Sequence, residues 1–569
     1  MGAAITKRTG VFANALTSDA VFPFQVPTEL TSGSEDKEEE KAEEKNDETA
    51  PVEVDWDGLK DRIWQVPASA GDYSDLAINE EYLYLKAAGS DASDIKVLKM
   101  EPLAEAADFT GGVVLMQLSD DGKQMLVVKK EDEQYPMYIV PATAEFPEDL
   151  SRSTVQSANW RFSVDPRAEW RQMFHDAWLM HREMFYDRNM RGVDWVAMKE
   201  KYLPMMDRVT DRREVNDVIA QMTGELNALH SAVRGGDSPS DPDAPAPSVL
   251  GAELVQGKGG VLIERKYRFD REVLTEAPPM AMPGVDAQEG DLITAVNGIA
   301  SSDLESFHRV LRNQAGKQVL LEIRRGQESI RTVVVPATAD QTATYQYRDW
   351  VWGSRKKVEE ANPDLGYMHI ANMGGSDAAS FARDFYASIH KKGMIIDVRR
   401  NGGGNIDSWL LDRLMRKAWM FWQHHDNEPY TNSQRAFRGH LVVLADQGTY
   451  SDGETFTAGI RALGIAPVIG KRTAGAGVWL SDGNALSDKG IARVAEFPYY
   501  AMDGRWVVEG HGVEPDIEVD NLPYATFNGA DAQLEAAIEY LGRKLEEEPI
   551  QDMVPLPFPP NPQPADDIK

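Results

Sequence analysis

At 569 residues with 42% apolar content, the chain is too long for a single core and apolar enough to build several. A formal charge of −32 argues against nucleic-acid binding, and the lack of cysteine excludes disulfides, a thiol nucleophile and cysteine-held metal. Ten scattered histidines without an HExxH pattern give little support for zinc. No apolar run approaches the roughly 18–20 residues of a membrane span, and Met1 to Gly10 contains no apolar h-region, so a cytoplasmic location is expected, with a periplasmic one as the alternative if a natural N-terminal segment precedes Met1.

Residues 1–34 hold short apolar pieces such as Val11-Phe12-Ala13 and are expected to end a preceding β domain. From Glu35 to Glu48 there are nine acidic and three basic residues and no aromatic one, so 35–56 reads as an acidic linker with nothing to bury. Over 57–155, short runs at Tyr82–Leu85, Ile95–Leu98, Val113–Met116, Met125–Val128 and Met137–Val140 alternate with polar turns. Asp121-Gly122 supplies residues tolerant of positive φ for a hairpin. This spacing predicts about two blades of a partial β-propeller, short of the four or so needed for closure, with a small β-sandwich as the alternative.

Residues 160–248 read as a helical segment. Asp165 is placed to cap a helix opened by Pro166, and Trp170, Phe174, Trp178 and Phe185 form an apolar stripe. A second helix carries Val215, Val218, Ile219, Met222 and Leu226 and runs out at Asn227–Ser231. His230 therefore sits at a helix end beside a loop, either capping the helix or facing a cleft. Residues 249–337 alternate strands, turns and one helix around Leu304–Asn313. Their Gly290–Gly298 run, GDLITAVNG, resembles that of PDZ domains, which add a peptide strand to a sheet edge; a spacer is the other reading.

Residues 338–545 turn to α/β alternation. Strands are expected at Gly366–Ile370, Gly393–Val398, Leu441–Ala445 and Ala466–Ile469, with Ser376 capping a helix that carries Phe381, Phe385 and Ile389. A mostly parallel sheet follows. The loop Arg399-Arg400-Asn401-Gly402-Gly403-Gly404-Asn405 lacks both GK[ST] and GxGxxG, which excludes Walker and dinucleotide loops. It can bring free backbone N–H groups to a reacting carbonyl, or serve as a plain helix entry. Ser451, in Gly448–Glu454, lies on a strand-to-helix turn that can expose its hydroxyl beside helix-start amides; an ordinary serine N-cap reads the same way. The tail 546–569 is proline-rich and expected to be extended.

The order of a β remnant, a helical segment, a PDZ-like block and an α/β domain, together with DVRRNGGGN (397–405), GTYSDGE (448–454) and VVEGHGVEPDIEV (507–519), resembles the tricorn-type serine peptidases of the C-terminal-processing clan. The likeness runs from Asp57 to about residue 545. Full-length relatives carry two propellers ahead of the catalytic half, so the chain resembles their C-terminal part. The resemblance implies a catalytic domain of ClpP/crotonase-like type and a serine endopeptidase acting on oligopeptides or unfolded proteins through an acyl-enzyme, without metal or nucleotide. It also implies a homo-oligomer, a hexamer in the family.

By the same resemblance Ser451 is the nucleophile, His230 the general base and Glu509 the acid that supports it. The oxyanion hole is the N–H of Asp452 with that of Gly403 or Gly404, and Asp426 is a candidate for substrate specificity. The clan's alternative base, a lysine about 25 residues after the serine, is absent, because Ala476 stands there and Lys471 precedes the loop. One departure concerns the base: Leu229 stands where the family has a serine, and Ser231 lies on the other side. The relay from Glu509 can run directly, through Ser231 or through water. A non-catalytic peptide-binding protein with a decayed relay is the alternative function.

Overall fold

The computed structural model describes residues 10–557 except 27–53, 70, 89–91, 133, 158, 238–240, 242 and 426, and omits the side chain of Gln434. Most of the acidic linker, the end of the proline-rich tail and Asp426 therefore lie outside the described residues. The chain divides into two compact units, Met1–Ser163 and Val164–Lys569.

In the first unit, β1 (Phe12–Asn14) pairs antiparallel with β2 (Ile63–Gln65) across the linker. The next six strands, β3 (Tyr73–Ile78), β4 (Tyr82–Ala87), β5 (Ser93–Lys99), β6 (Ala107–Leu118), β7 (Gln124–Lys129) and β8 (Met137–Pro141), form one antiparallel sheet in chain order. Strand spacing alone predicts about two blades, whereas the six strands form one sheet. Strand β6 accounts for the difference: its first half pairs with β5 and its second with β7, around Gly111-Gly112, with Gly112 at φ +72° and shifted register on both sides. One long kinked strand thus joins what the runs alone would divide. Tyr84, Ile95, Phe109, Val113, Met125 and Val127 are buried on one side of this sheet.

The second unit opens with α1 (Pro166–Met184), whose N-cap Asp165 accepts the amides of Arg167 and Ala168. Helices α2 (Trp195–Tyr202) and α3 (Arg212–Gly224) pack on it. Trp178 and Trp195 each donate an indole N–H to the other's carbonyl, at 2.8 and 3.0 Å. The apolar stripe of α3 (Val215, Val218, Ile219, Met222) joins Phe174 and Trp178 in a core that also takes Val478, Ala492 and Val494. The helical segment is therefore built against distant parts of the chain. Past α3, Asn227 reverses the backbone at φ +50° and leads into β9 (Ala232–Arg234).

The next block contains β10 (Ala252–Gly257), β11 (Gly260–Lys266), β12 (Leu292–Val296), α4 (Leu304–Leu311), β13 (Val319–Arg325) and β14 (Glu328–Val334). Its sheet runs β10-β11-β12-β13-β14, and Phe307 and Leu311 of α4 enter its core. Asp349 of α5 (Gln341–Ala361) forms ion pairs with Arg265 and Arg268 of this block.

The last block is a five-stranded parallel sheet with its strands in chain order: β15 (Leu365–His369), β16 (Gly393–Asp397), β17 (His440–Ala445), β18 (Val468–Gly470) and β20 (Ile517–Glu518). Both faces are covered, which is why its strands read as continuous apolar runs. On one face lie α6 (Gly375–Ala387), α7 (Asp407–Leu414) and α8 (Asp452–Ala462), and on the other α5 and α9 (Ala532–Glu547). Ser376 does not cap α6 as its sequence suggested: the N-cap is Gly374, and Asp377 accepts the amides of Asn372 and Gly374. The carboxylate reaches two amides that the serine one position earlier does not. Strand β19 (Ile491–Arg493) lies outside this sheet and pairs antiparallel with β9.

Candidate active site

Strand β17 ends at Ala445, and four residues in the loop after it fix the turn that precedes α8. Asp446 accepts the amides of Arg400 and Gly448, and Thr449 donates its hydroxyl to the Val398 carbonyl. Tyr450 donates its amide to the Asn401 carbonyl. The glycine loop after β16 and the serine turn after β17 are thus one hydrogen-bonded assembly at the C-terminal ends of neighbouring parallel strands. Ser451 itself sits at φ +55°, ψ −123°, a conformation that costs about 1–3 kcal/mol in a non-glycine residue. That sharp turn presents Oγ at the N-terminus of α8.

Ser451 Oγ lies 2.9 Å from Nε2 of His230, which is 221 residues earlier in the chain. His230 is buried, and burial lowers its pKa to about 4; the positive charge of Arg493 adds to this, and Asp482 opposes it. The imidazole is therefore neutral near pH 7 and able to accept the serine proton. Tyr450 borders it: the two rings are 4.9 Å apart, and the Tyr450 hydroxyl donates to the Leu229 carbonyl at 2.8 Å.

The oxyanion candidates separate cleanly. Gly403 stands against the serine, since a Cβ there would come within 2.5 Å of the Ser451 Cβ, but its amide donates to Asn401 Oδ1 at 2.8 Å. Among the described residues, the amides of Gly404 and Asp452 have no intramolecular acceptor. The Asp452 side chain is buried, and its Oδ2 accepts the amides of Ile406 and Asp407 at 2.7 and 3.1 Å. Burial, reinforced by the nearby Asp407, pushes its carboxyl up to about 7. Asp452 thereby ties the start of α8 to the exit of the glycine loop.

Glu509 is placed differently from the expected acid. Its Oε2 accepts the Gly477 amide at 2.8 Å, and its Oε1 lies 3.7 Å from the Arg191 guanidinium. Burial raises its pKa, with Gly477 and Arg191 opposing. Among the described residues, His230 Nδ1, Ser231 Oγ and Glu509 Oε1 are buried with no hydrogen-bond partner, so the structure brings Ser451 and His230 together but does not bond Glu509 to the imidazole. Lys471 is engaged away from the serine, with Nζ at 2.7 Å from Glu518, and Ala476 is buried in the loop where the clan carries lysine. His511 is exposed.

Glu454, in the first turn of α8, is a site residue not among those the resemblance implies. Its buried carboxylate takes the Ser451 and Ala476 amides on Oε2, at 3.1 and 2.7 Å, and the Thr473 hydroxyl and Gly475 amide on Oε1, both at 2.6 Å. The signal was present as the S-x-x-E spacing of a capping box, whose glutamate reaches back to the N-cap amide. Nothing in that spacing reveals the second loop.

A helix-start serine paired with a neutral histidine, two free amides beside it and a parallel sheet behind define a serine-hydrolase arrangement. Residues 364–519 match Peptidase family S41, 166–224 the Tricorn protease C1 domain and 248–340 the Tricorn protease PDZ domain. The chain resembles the C-terminal half of the tricorn-type serine peptidases, with their PDZ and catalytic domains.

It is 31% identical over 529 residues to "Tricorn protease homolog 1" of Streptomyces coelicolor, covering 89% of this chain and 48% of that protein. It is 32% identical over 407 residues to "Putative Tricorn-like protease C-terminal subunit" of Sulfurisphaera tokodaii, covering 70% of this chain and 45% of that one. The chain thus spans about half the length of these relatives. A solved structure, "Crystal structure of the tricorn protease", superposes with a TM-score of 0.81 at 23% identity over 94% of this chain and 51% of its own, a shared fold. Among the described residues, no helix is long and apolar enough to cross a membrane.

Proposed function

We propose that this chain is a tricorn-like serine endopeptidase that hydrolyses peptide bonds of oligopeptides or unfolded proteins through an acyl-enzyme. The Ser451 hydroxyl proton passes to His230 Nε2 as Oγ attacks the scissile carbonyl carbon, and the resulting oxyanion is received by the amides of Asp452 and Gly404. On collapse the C–N bond breaks and the leaving amine takes the proton from His230. Water then attacks the ester, giving a proton to His230 that returns to Ser451 Oγ as the acid product leaves. Glu509 is the acidic member. The observation that carries this reading is the 2.9 Å contact between Ser451 Oγ and a buried, neutral His230.

Several finer assignments belong to the same proposal: a propeller-type sheet over 57–155 and a cytoplasmic location, drawn from the sequence, and a ClpP/crotonase-like catalytic domain and a homo-oligomer such as a hexamer, drawn from the resemblance. So do the domain limits given above and Asp426 as a specificity residue. A fluorophosphonate probe tests the central claim. One serine is expected to label, and Ser451→Ala to abolish it; labelling that survives this substitution overturns the assignment.

A further inference from the structure

The base-bearing segment Asn227–Ser231 is held at two points along its backbone. At one end the Arg191 guanidinium donates to the Asn227 carbonyl at 2.6 Å, and the same Nη1 lies 3.7 Å from Glu509 Oε1. Near the other, the Tyr450 hydroxyl donates to the Leu229 carbonyl at 2.8 Å while its ring flanks the imidazole. Both holders are themselves built in. Arg191 is presented from consecutive positive-φ residues, Met190 at +50° and Arg191 at +53°, with its amide on Asp187 Oδ2 at 2.9 Å. Such strain persists only where the surroundings over-determine it. Tyr450 adjoins the nucleophile, and its amide is fixed on Asn401 of the glycine loop. The imidazole Nδ1, where an orienting acid would bond, has no partner among the described residues.

We propose that His230 is oriented through the backbone of its turn, gripped by Arg191 at Asn227 and by Tyr450 at Leu229, and that Glu509 acts at one remove by holding Arg191. Arg191 and Tyr450 are then positioning residues, and the leucine at 229 is tolerated because its carbonyl, not its side chain, is the point of attachment. This rests on Ser451 and His230 as the reacting pair and deepens that reading.

The test is fluorophosphonate acylation of the full chain, resolved into the maximal inactivation rate and the probe's half-saturating concentration. Tyr450→Phe and Arg191→Met are each expected to lower the maximal rate about 10- to 100-fold and leave half-saturation unchanged, the pattern of a misplaced base rather than lost binding. Arg191→Lys, which keeps a charged donor, should recover much of the loss. Glu509→Gln keeps an acceptor for Gly477 and should cost less than about tenfold. An acid that directly orients the imidazole is worth about ten-thousand-fold, so a loss of that size in Glu509→Gln overturns the inference, as do wild-type rates in both Tyr450→Phe and Arg191→Met. The outcomes for the underlying reading are separate: labelling that persists in Ser451→Ala defeats the nucleophile assignment, whereas loss there with unimpaired Tyr450→Phe and Arg191→Met defeats only the backbone grip.

Discussion

Glu454 holds the amide of Ser451 on the same carboxylate oxygen that receives the amide of Ala476, so the nucleophile's turn and the facing loop share one anchor. Removing it leaves four donors unsatisfied in a buried site, each worth about 1–3 kcal/mol. Glu454→Ala is expected to destabilise the peptidase region by at least about 3 kcal/mol, within the range for breaking a buried polar network. Glu454→Gln, with one oxygen acceptor and a new N–H₂ facing donors, should fall between. Calorimetric midpoints together with active-site titration check this; an unchanged midpoint in Glu454→Ala would show that the staple carries no weight.

The buried base gives a pH signature. With His230 lowered to about 4, the active neutral form survives well below the 6.5 of a free imidazole, so the acid limb of kcat/KM should centre near 4. Arg493 lowers this value and Asp482 raises it. Arg493→Gln should therefore move the limb to higher pH, and Asp482→Asn to lower pH. Profiles of casein-peptide hydrolysis from pH 3 to 8 would reveal the opposed shifts; movement in the same direction contradicts the electrostatic account.

Gly403 tests the packing around the nucleophile. It has φ +87°, and an added Cβ would lie 2.5 Å from the Ser451 Cβ and 2.9 Å from its Oγ. Gly403→Ala must displace either the serine or the loop, and a displacement of about 1 Å at a reacting centre costs about a hundredfold. Burst titration should show acylation slowed by at least that factor in folded protein. A normal burst is incompatible with this packing.

Asp452 has the opposite linkage sign from a buried histidine. Its carboxyl is raised to about 7 when folded, against about 3.9 unfolded, so between these values the folded state binds more protons. The wild type thus loses stability as pH rises through this window, and Asp452→Asn does not. The variant's thermal midpoint minus that of the wild type should increase from pH 4 to pH 7 and flatten above. A difference independent of pH would contradict the raised pKa.

The parallel sheet was readable because strands covered on both faces become apolar runs, and the helix caps at Asp165 and the stripe of α3 follow local rules. The single kinked sheet of the first unit was not, since strand spacing does not say which neighbours pair across Gly111-Gly112. Ser451 could be singled out from its turn, but nothing local to His230 points 221 residues downstream; only the family resemblance joined them. The choice between Gly403 and Gly404 needed the Asn401 side chain, which withdraws one amide and leaves the other. Glu509 shows the limit of carry-over by position, because its contact to Arg191 depends on a strained turn that sequence spacing does not disclose.

The pairing of β9 with β19, Ala232–Arg234 against Ile491–Arg493, has a consequence for synthesis. Translation delivers the base first, then the whole PDZ block, then the nucleophile, and only after a further forty residues the strand that tethers the base in place. Any nascent or truncated chain ending before Ile491 lacks this tether. A growing chain therefore carries both His230 and Ser451 before the strand that steadies the histidine's segment exists.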